Sequence, residues 1–390
     1  MKYEYNDNIN SEKKQLTDKN ITFINKKERN SSFELLRIIL ITLIIFHHIF
    51  INTISLIDID ENNYVEFINW RYILLKVISN YGQFGNNVFI MISGYFSISK
   101  INFNLNKFLS ILFEIYTYYY PSIVLGKKLS LNYKNVKFPD YSNFSIYFPN
   151  FTENGNWFIQ IYLCLLIFIP FINTGLLHLN KEKYRQLIII LILFYCIFKS
   201  MIDFFKFNSI IFSTTPFINL LIPYIIGGYI RIYDLKYKIF WKIVGMSYFI
   251  FTFFSEIFFD ILSYYFKNFS FILFNLNLSF KINSLTSIIG SMGIIYLFKT
   301  INLYNKIINW FSASVLGIYL IHGNKHITPY IYNIWFQTNN LNENYFFFKY
   351  IIKGLLIMLI SLSIDIIRRY TIGLLFNKII KLIVNVINDF

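Results

Sequence analysis

Charge is scarce in this chain. Only 15% of its 390 residues are Asp, Glu, Lys or Arg, against 55% hydrophobic and 21% aromatic, and the mean hydropathy is positive. One soluble core could not hide that much apolar surface, which excludes an ordinary globular domain and points to a membrane as solvent. Cysteine is nearly missing: Cys164 and Cys196 both fall within apolar runs, where a thiol serves as a small hydrophobe, so neither a disulfide nor a metal centre is expected. There is no Pro-rich or Ser-rich linker, no internal repeat, and no soluble domain after the last long apolar stretch. Residues 1–33 lack an apolar core followed by a small-residue cleavage site and so do not read as a signal peptide. Acidic side chains are the minority, 21 against 36 basic, for a net charge of +15. The cations lie in short segments between apolar runs and in the N-terminal tail. No soluble face carries a basic stripe, so no nucleic-acid partner is expected.

What is present in abundance is apolar windows long enough to cross a bilayer as helices. They fall at about 36–57, 83–98, 107–126, 157–175, 186–204, 209–230, 239–262, 283–299, 308–323 and 347–367. The expected fold is an all-α, polytopic membrane helix bundle with about ten transmembrane helices. The second and ninth windows are short and hold Gly, Ser and Asn, which places them inside the bundle, where neighbours satisfy the polar groups. Eight basic residues from Lys2 to Arg37 precede or open the first window, while Arg71 and Lys76 are the basic residues that follow it. By the positive-inside rule both termini are expected in the cytoplasm of a multi-pass cell-membrane protein. The loop from Lys127 to Asn156, with four lysines on the outer side, is the exception. The organisation read from this is a cytoplasmic tail over 1–33, a transmembrane domain over 34–370, and an amphipathic cytoplasmic segment over 371–390 lying on the membrane.

Ionisable groups inside apolar spans invite a functional reading. Arg37 and His48 are eleven positions apart in the first window, about three helical turns and roughly 16 Å along the axis, so they share one face. Glu34, three before Arg37, joins that stripe, whereas His47 points about 100° away. A cation at one end could grip an anionic group while the imidazole takes a proton from a hydroxyl near neutral pH. Equally, Arg37 could be an interfacial anchor and His48 a hydrogen-bonded packing residue, and the spacing leaves both readings open. Ser93 with Gly94 suits close helix packing, Trp157 suits an aromatic belt, and His178 and His326 are expected to be solvated.

These residues resemble the membrane acyltransferase-3 family of bacterial surface-glycan O-acyltransferases. Its first-helix signature, an acid, then Arg, ten residues and His, is matched by Glu34, Arg37 and His48. Gly82 to Tyr95 is similar to the family's glycine-led run closing in Ser-Gly, with Gly85, Phe89, Ser93, Gly94 and Tyr95 in agreement and Ile90 in place of a Phe. Trp157 and Pro170 resemble its Trp-led helix ending in Pro, with Tyr162 where many members carry Glu. Gly317-Ile318-Tyr319-Leu320-Ile321-His322 resembles the Tyr-Leu-x-His close of a late span. The resemblance implies transfer of an acyl group from acetyl-CoA or another acyl-CoA, with no metal, to a hydroxyl of a cell-envelope glycan. The implied roles are His48 and Arg37 in catalysis, Arg37 also on the donor phosphates, Glu34, Ser93, Tyr319 and His322 in support, and Trp157 and Tyr95 toward substrate. His48 acting as general base and His48 carrying the acyl group transiently both remain open. So does oxyanion stabilisation by Ser93 or His322. The expected partners are acyl-CoA, the glycan and membrane lipid. The alternative is a transporter or flippase for a glycan or lipid-linked intermediate, which broken helices and inverted repeats would favour.

Overall fold

Asparagine and serine begin many of the helices in this computed structural model, which describes residues 30–54, 70–133, 156–198, 201, 216–265, 284–336 and 345–388. The side chain of Asn104 accepts from the amide of Lys107, Asn156 from Phe158, Asn180 from Lys183, Ser284 from Ser287, and Asn305 from Ile307 and Ile308. Each cap satisfies a backbone donor that the first helical turn leaves open. All regular structure among the described residues is helical. In chain order the elements are α1 (Ser32–Ile54), α2 (Trp70–Ser97), α3 (Leu105–Asn132), α4 (Trp157–Leu177), α5 (Lys181–Ile192), α6 (Pro216–Tyr233) and α7 (Lys238–Tyr265). They are followed by α8 (Leu285–Lys299), α9 (Lys306–Ser312), α10 (Val315–His322), α11 (Phe346–Tyr370) and α12 (Ile372–Asn388). Short π-helical turns occupy Leu193–Phe198 and Tyr330–Trp335.

Five helical segments among the described residues are long and apolar enough to cross a membrane: Ser32–Asn52, Leu105–Asn132, Trp157–Leu177, Lys238–Leu262 and Phe346–Tyr370. Phe217–Tyr233 and Leu285–Lys299 are shorter apolar helices. Among the described residues this membrane protein is therefore all-helical, with five such segments where about ten were expected. Part of that difference lies in α2, which runs back to Trp70, well before the window beginning at 83. Its polar positions Ser79, Asn86, Asn87 and Ser97 are buried in the bundle. The ninth window is not one helix. It breaks at Ala313–Ser314 between α9 and α10, where Ser314 accepts from Arg369 and Ser312 donates to Glu34. Residues 1–29, most of the loop between α3 and α4, and the first part of the window at 209–230 lie outside the described residues.

Two apolar cores share α1. One joins Ile41, Ile45 and Ile49 to Leu163 of α4, Ile318 of α10 and Tyr350 of α11. The other joins Leu36 and Leu40 to Phe84 and Met91 of α2, Ile226 of α6 and Ile295 of α8. Helices α2 and α6 touch backbone to backbone: a Cβ on Gly94 would fall on the Tyr224 carbonyl and one on Gly227 on the Met91 carbonyl. Small residues at such crossings let membrane helices gain packing contacts that larger side chains forbid. Buried ions fasten the periphery. Lys76 of α2 meets Asp260 at 2.6 Å and Glu256 at 3.3 Å on α7. Arg368 of α11 pairs with Asp365 at 2.8 Å and reaches Glu114 of α3 at 3.0 Å. Helix α12 is amphipathic. Ile380 and Val384 are buried, Leu374, Leu375 and Leu382 are exposed, and Phe376 stacks on Phe113 of α3 with ring centroids 4.8 Å apart.

Candidate functional site

The stripe on α1 is assembled by its neighbours. Glu34, only 3% exposed, binds Arg37 at 2.6 Å through one carboxylate oxygen. Its other oxygen accepts from the Ser312 hydroxyl at 2.6 Å, so α9 fixes the carboxylate that fixes the guanidinium. Arg37 then lines a cavity of about 1020 Å³ together with Lys100, Lys107 and Arg231. These cations come from the start of α1, the turn after α2, the start of α3 and the end of α6, and therefore gather at one end of the bundle. Lys107 donates to the Tyr162 hydroxyl at 3.3 Å, and Arg231 donates to the Tyr95 hydroxyl at 3.3 Å. Burial, and then the neighbouring Lys107 ammonium, hold Lys100 below the usual lysine range. At the cavity's inner end are Ile44, Asn86, Phe158 and Tyr319.

A second cavity of about 260 Å³ begins where the first ends. His48, Gln83 and Trp157 line it, and Ile44, Asn86 and Tyr319 line both cavities. The two spaces thus adjoin, sharing one aliphatic, one amide and one phenolic side chain beside His48. This junction depends on two glycines. A Cβ at Gly82 would collide with His47 and lie 2.6 Å from the Leu43 carbonyl, and one at Gly85 would lie 3.3 Å from Ile44. Their absent side chains let α2 press against α1 at the level of the histidines.

Around His48 the hydrogen-bond directions can be read from the partners. The His322 ring centroid is 5.0 Å from that of His48 and the Tyr319 centroid 6.3 Å. His322 Nδ1 contacts the Ile318 carbonyl at 2.6 Å. A carbonyl only accepts, so Nδ1 carries the proton and the buried Nε2, without a hydrogen-bond partner among the described residues, presents a lone pair. Tyr319 donates to Asn156 Oδ1 at 2.7 Å, the same oxygen that caps α4.

The other residues singled out by sequence fall in different places. Ser93 lines the larger cavity and donates its hydroxyl to the Phe89 carbonyl at 3.1 Å. Tyr95 stacks on Phe33 at 5.2 Å and meets Arg231, which lines the cavity. Trp157, 43% exposed, lines the smaller cavity. His47 is buried, with Nδ1 2.7 Å from the Ser79 hydroxyl. His178 is exposed. His326, expected to be solvated, is instead buried against Tyr119 at 5.1 Å, because the turn after α10 folds back into the bundle. Both cysteines are free thiols.

Sequence reading missed Lys100, Lys107, Arg231, Asn86 and Asn156. The three cations belong to separate helix ends, so no local spacing announces them. Asn86 does carry a signal, as an amide directly after Gly85 in an apolar run, and Asn156 stands as a helix cap immediately before Trp157.

An apolar helical bundle that encloses two adjoining cavities, the smaller lined by His48, defines an integral-membrane protein with internal space for a ligand. The chain belongs to the acyltransferase-3 family, whose model, described as an acyltransferase domain, matches residues 30–366. Comparison with curated proteins and with solved structures returns no match.

Proposed function

We propose that this chain is a membrane O-acyltransferase that moves an acyl group, namely acetyl, from acyl-CoA to a hydroxyl of a cell-surface or exopolysaccharide glycan. The observation that carries the reading is the pair of cavities meeting beside His48, the larger rimmed by Arg37, Lys100, Lys107 and Arg231. Clustered guanidinium and ammonium groups recognise phosphates, which suits the phosphate-rich end of CoA. The volume lies at the upper end of ligand pockets, roughly 300–1,000 Å³. The pantetheine arm then extends along Ile41 and Phe89 toward Ile44, bringing the thioester to the junction. The acceptor enters the smaller cavity, where Trp157 offers a face to a sugar ring and Gln83 offers an amide.

His48 acts as general base on the acceptor hydroxyl. As the hydroxyl oxygen bonds to the thioester carbon, its proton passes to the imidazole. The carbon–sulfur bond then breaks, and the thiolate takes up a proton to leave as CoA thiol. Glu34 orients Arg37, and the His322 ring lies beside the base with its centroid 5.0 Å from that of His48. The lysine-rich tail supports placing the Arg37 end and both termini in the cytoplasm. A transporter or flippase for a glycan or lipid-linked intermediate is the second reading, favoured by the helix break at Ala313–Ser314.

Mass spectrometry of envelope glycan from a deletion strain complemented with variants tests both. His48→Ala and Arg37→Ala are expected to give unacylated glycan in normal amount, with the protein still inserted in the membrane. Normal acylation in the His48→Ala strain would sink the catalytic assignment, and loss of the glycan itself from the surface would favour transport.

A further inference from the structure

We infer that Asn86 is a catalytic residue whose side-chain amide donates hydrogen bonds to the thioester oxygen as it becomes an oxyanion. The inference rests on the acyl-transfer reading above and adds the group that reading lacks. When a hydroxyl attacks a thioester, the carbonyl electrons move onto oxygen, and a site that speeds the step aims a donor at that oxygen. The new carbon–oxygen bond forms, the oxyanion collapses, the carbon–sulfur bond breaks, and the hydroxyl proton taken by His48 passes to the departing sulfur.

The donors near the junction can be examined in turn. Ser93 has one hydroxyl proton, and it is directed to the Phe89 carbonyl. Tyr319 has one, and it goes to Asn156 Oδ1. His322 carries its proton on Nδ1, bound to the Ile318 carbonyl, and shows only a lone pair at Nε2. Ile44, the third side chain common to both cavities, has no polar atom. Gln83 and Trp157 line the smaller cavity alone, so among the side chains common to both cavities that leaves Asn86, which is only 7% exposed and makes no side-chain hydrogen bond to another described residue. An amide carries two N–H donors, and in a largely dry setting each is worth more than in water.

The placement is built in. Asn86 follows Gly85, whose missing side chain lets α2 rest on Ile44, and lies one turn beyond Gly82, where α2 rests on His47 and the Leu43 carbonyl. The next residue, Asn87, is tied to Ser287 of α8 at 2.8 Å, which anchors α2 from its opposite side. Helix packing on both sides therefore fixes the stretch of α2 backbone that carries the amide to the junction.

The test uses the full-length chain in phospholipid nanodiscs, with acetyl-CoA as donor and envelope glycan from the deletion strain as acceptor. Free thiol release reports turnover, and calorimetry reports acetyl-CoA binding. Asn86→Ala is expected to lower kcat about 100-fold, the size seen when one oxyanion donor is removed, with the acetyl-CoA Kd changed less than about threefold. Asn86→Asp keeps the shape and replaces the donor with an acceptor, so it is expected to fall at least as far while folding normally. A kcat within about threefold of the parent for either variant overturns the inference, as does a loss of acetyl-CoA binding parallel to the loss of turnover. His48→Ala separates the two levels. If it is inactive while Asn86→Ala turns over normally, only the role of Asn86 falls. If His48→Ala turns over normally, the acyl-transfer site falls with it.

Discussion

Gly323 offers a way to disturb His48 without touching it. The residue closes α10 at φ −93° and ψ 8°, a conformation open to alanine, so Gly323→Ala adds a methyl group without straining the backbone. That methyl carbon would sit 3.2 Å from His48 Cε1, 3.3 Å from Asn156 Nδ2 and 3.1 Å from the Tyr319 carbonyl oxygen. Carbon–carbon contacts relax to about 3.5–4.0 Å, so the imidazole must yield by about 0.3–0.8 Å. Misplacing a reacting group by 1 Å can reduce rate by about 10²-fold, and the smaller shift should therefore lower kcat by about tenfold. Donor binding, set at the far end of the larger cavity, should not change. Stability should hold, because replacing glycine at a compatible position restricts the unfolded chain by about 0.4–1 kcal/mol. Turnover and thermal midpoint measured on the same nanodisc preparation check both halves. An unchanged kcat in a properly folded variant would refute the placement of His48 at the reacting centre.

Other perturbations separate neighbouring roles. His47→Gln should retain at least about a tenth of the turnover while losing about 1–3 kcal/mol of stability from its hydrogen bond with Ser79; complete inactivity in folded protein would show that the wrong histidine has been assigned. Rapid quench with labelled acetyl-CoA and no acceptor should leave no label on the chain, and a label that disappears in His48→Ala would instead establish a covalent route. Arg368→Ala leaves Asp365 and Glu114 without their cation and should destabilise the bundle by about 3–5 kcal/mol, read as a fall in thermal midpoint; no fall would contradict the ion network. Burial pushes His326 down to about 4, so the folded state favours its neutral form. Its contribution is complete above the unfolded value near 6.5 and is lost as pH falls from there toward 4. Thermal midpoints between pH 8 and pH 5 should fall less steeply in His326→Gln, and an unchanged slope would refute this.

The parts legible in sequence were those written within a single helix. Glu34, Arg37 and His48 share a face because helical periodicity requires it, and the Glu34–Arg37 pair is an adjacent-turn contact. Apart from the ninth, the described parts of the apolar windows became helical for the same local reason. What depended on distant partners was not legible. Asn87 and Ser97 lower the apolar character of α2, yet both are buried because α4, α6 and α8 cover that helix, with Asn87 bonded to Ser287 and the Ser97 carbonyl to Asn173. The break between α9 and α10 is tied down by Glu34, from the far end of the chain, and by Arg369. His326 sits in a polar turn by sequence and in the bundle by tertiary packing. The cationic rim draws on four separate segments, and only Arg37 carried a local signal.

The narrow meeting of the two cavities has an electrical consequence. With their mouths on opposite faces of the membrane, as proposed, the acceptor loses its proton on one side and CoA thiol gains one on the other. Each turnover passes a proton inward and an acyl group outward between neutral groups, so no net charge crosses the junction. The membrane potential, worth about 2.3 kcal/mol per 100 mV on a unit charge that crosses, therefore does no work on the transfer, whose direction is set by the thioester alone. Ile44 and Tyr319 would also stand as the insulation that keeps protons from crossing without a transfer.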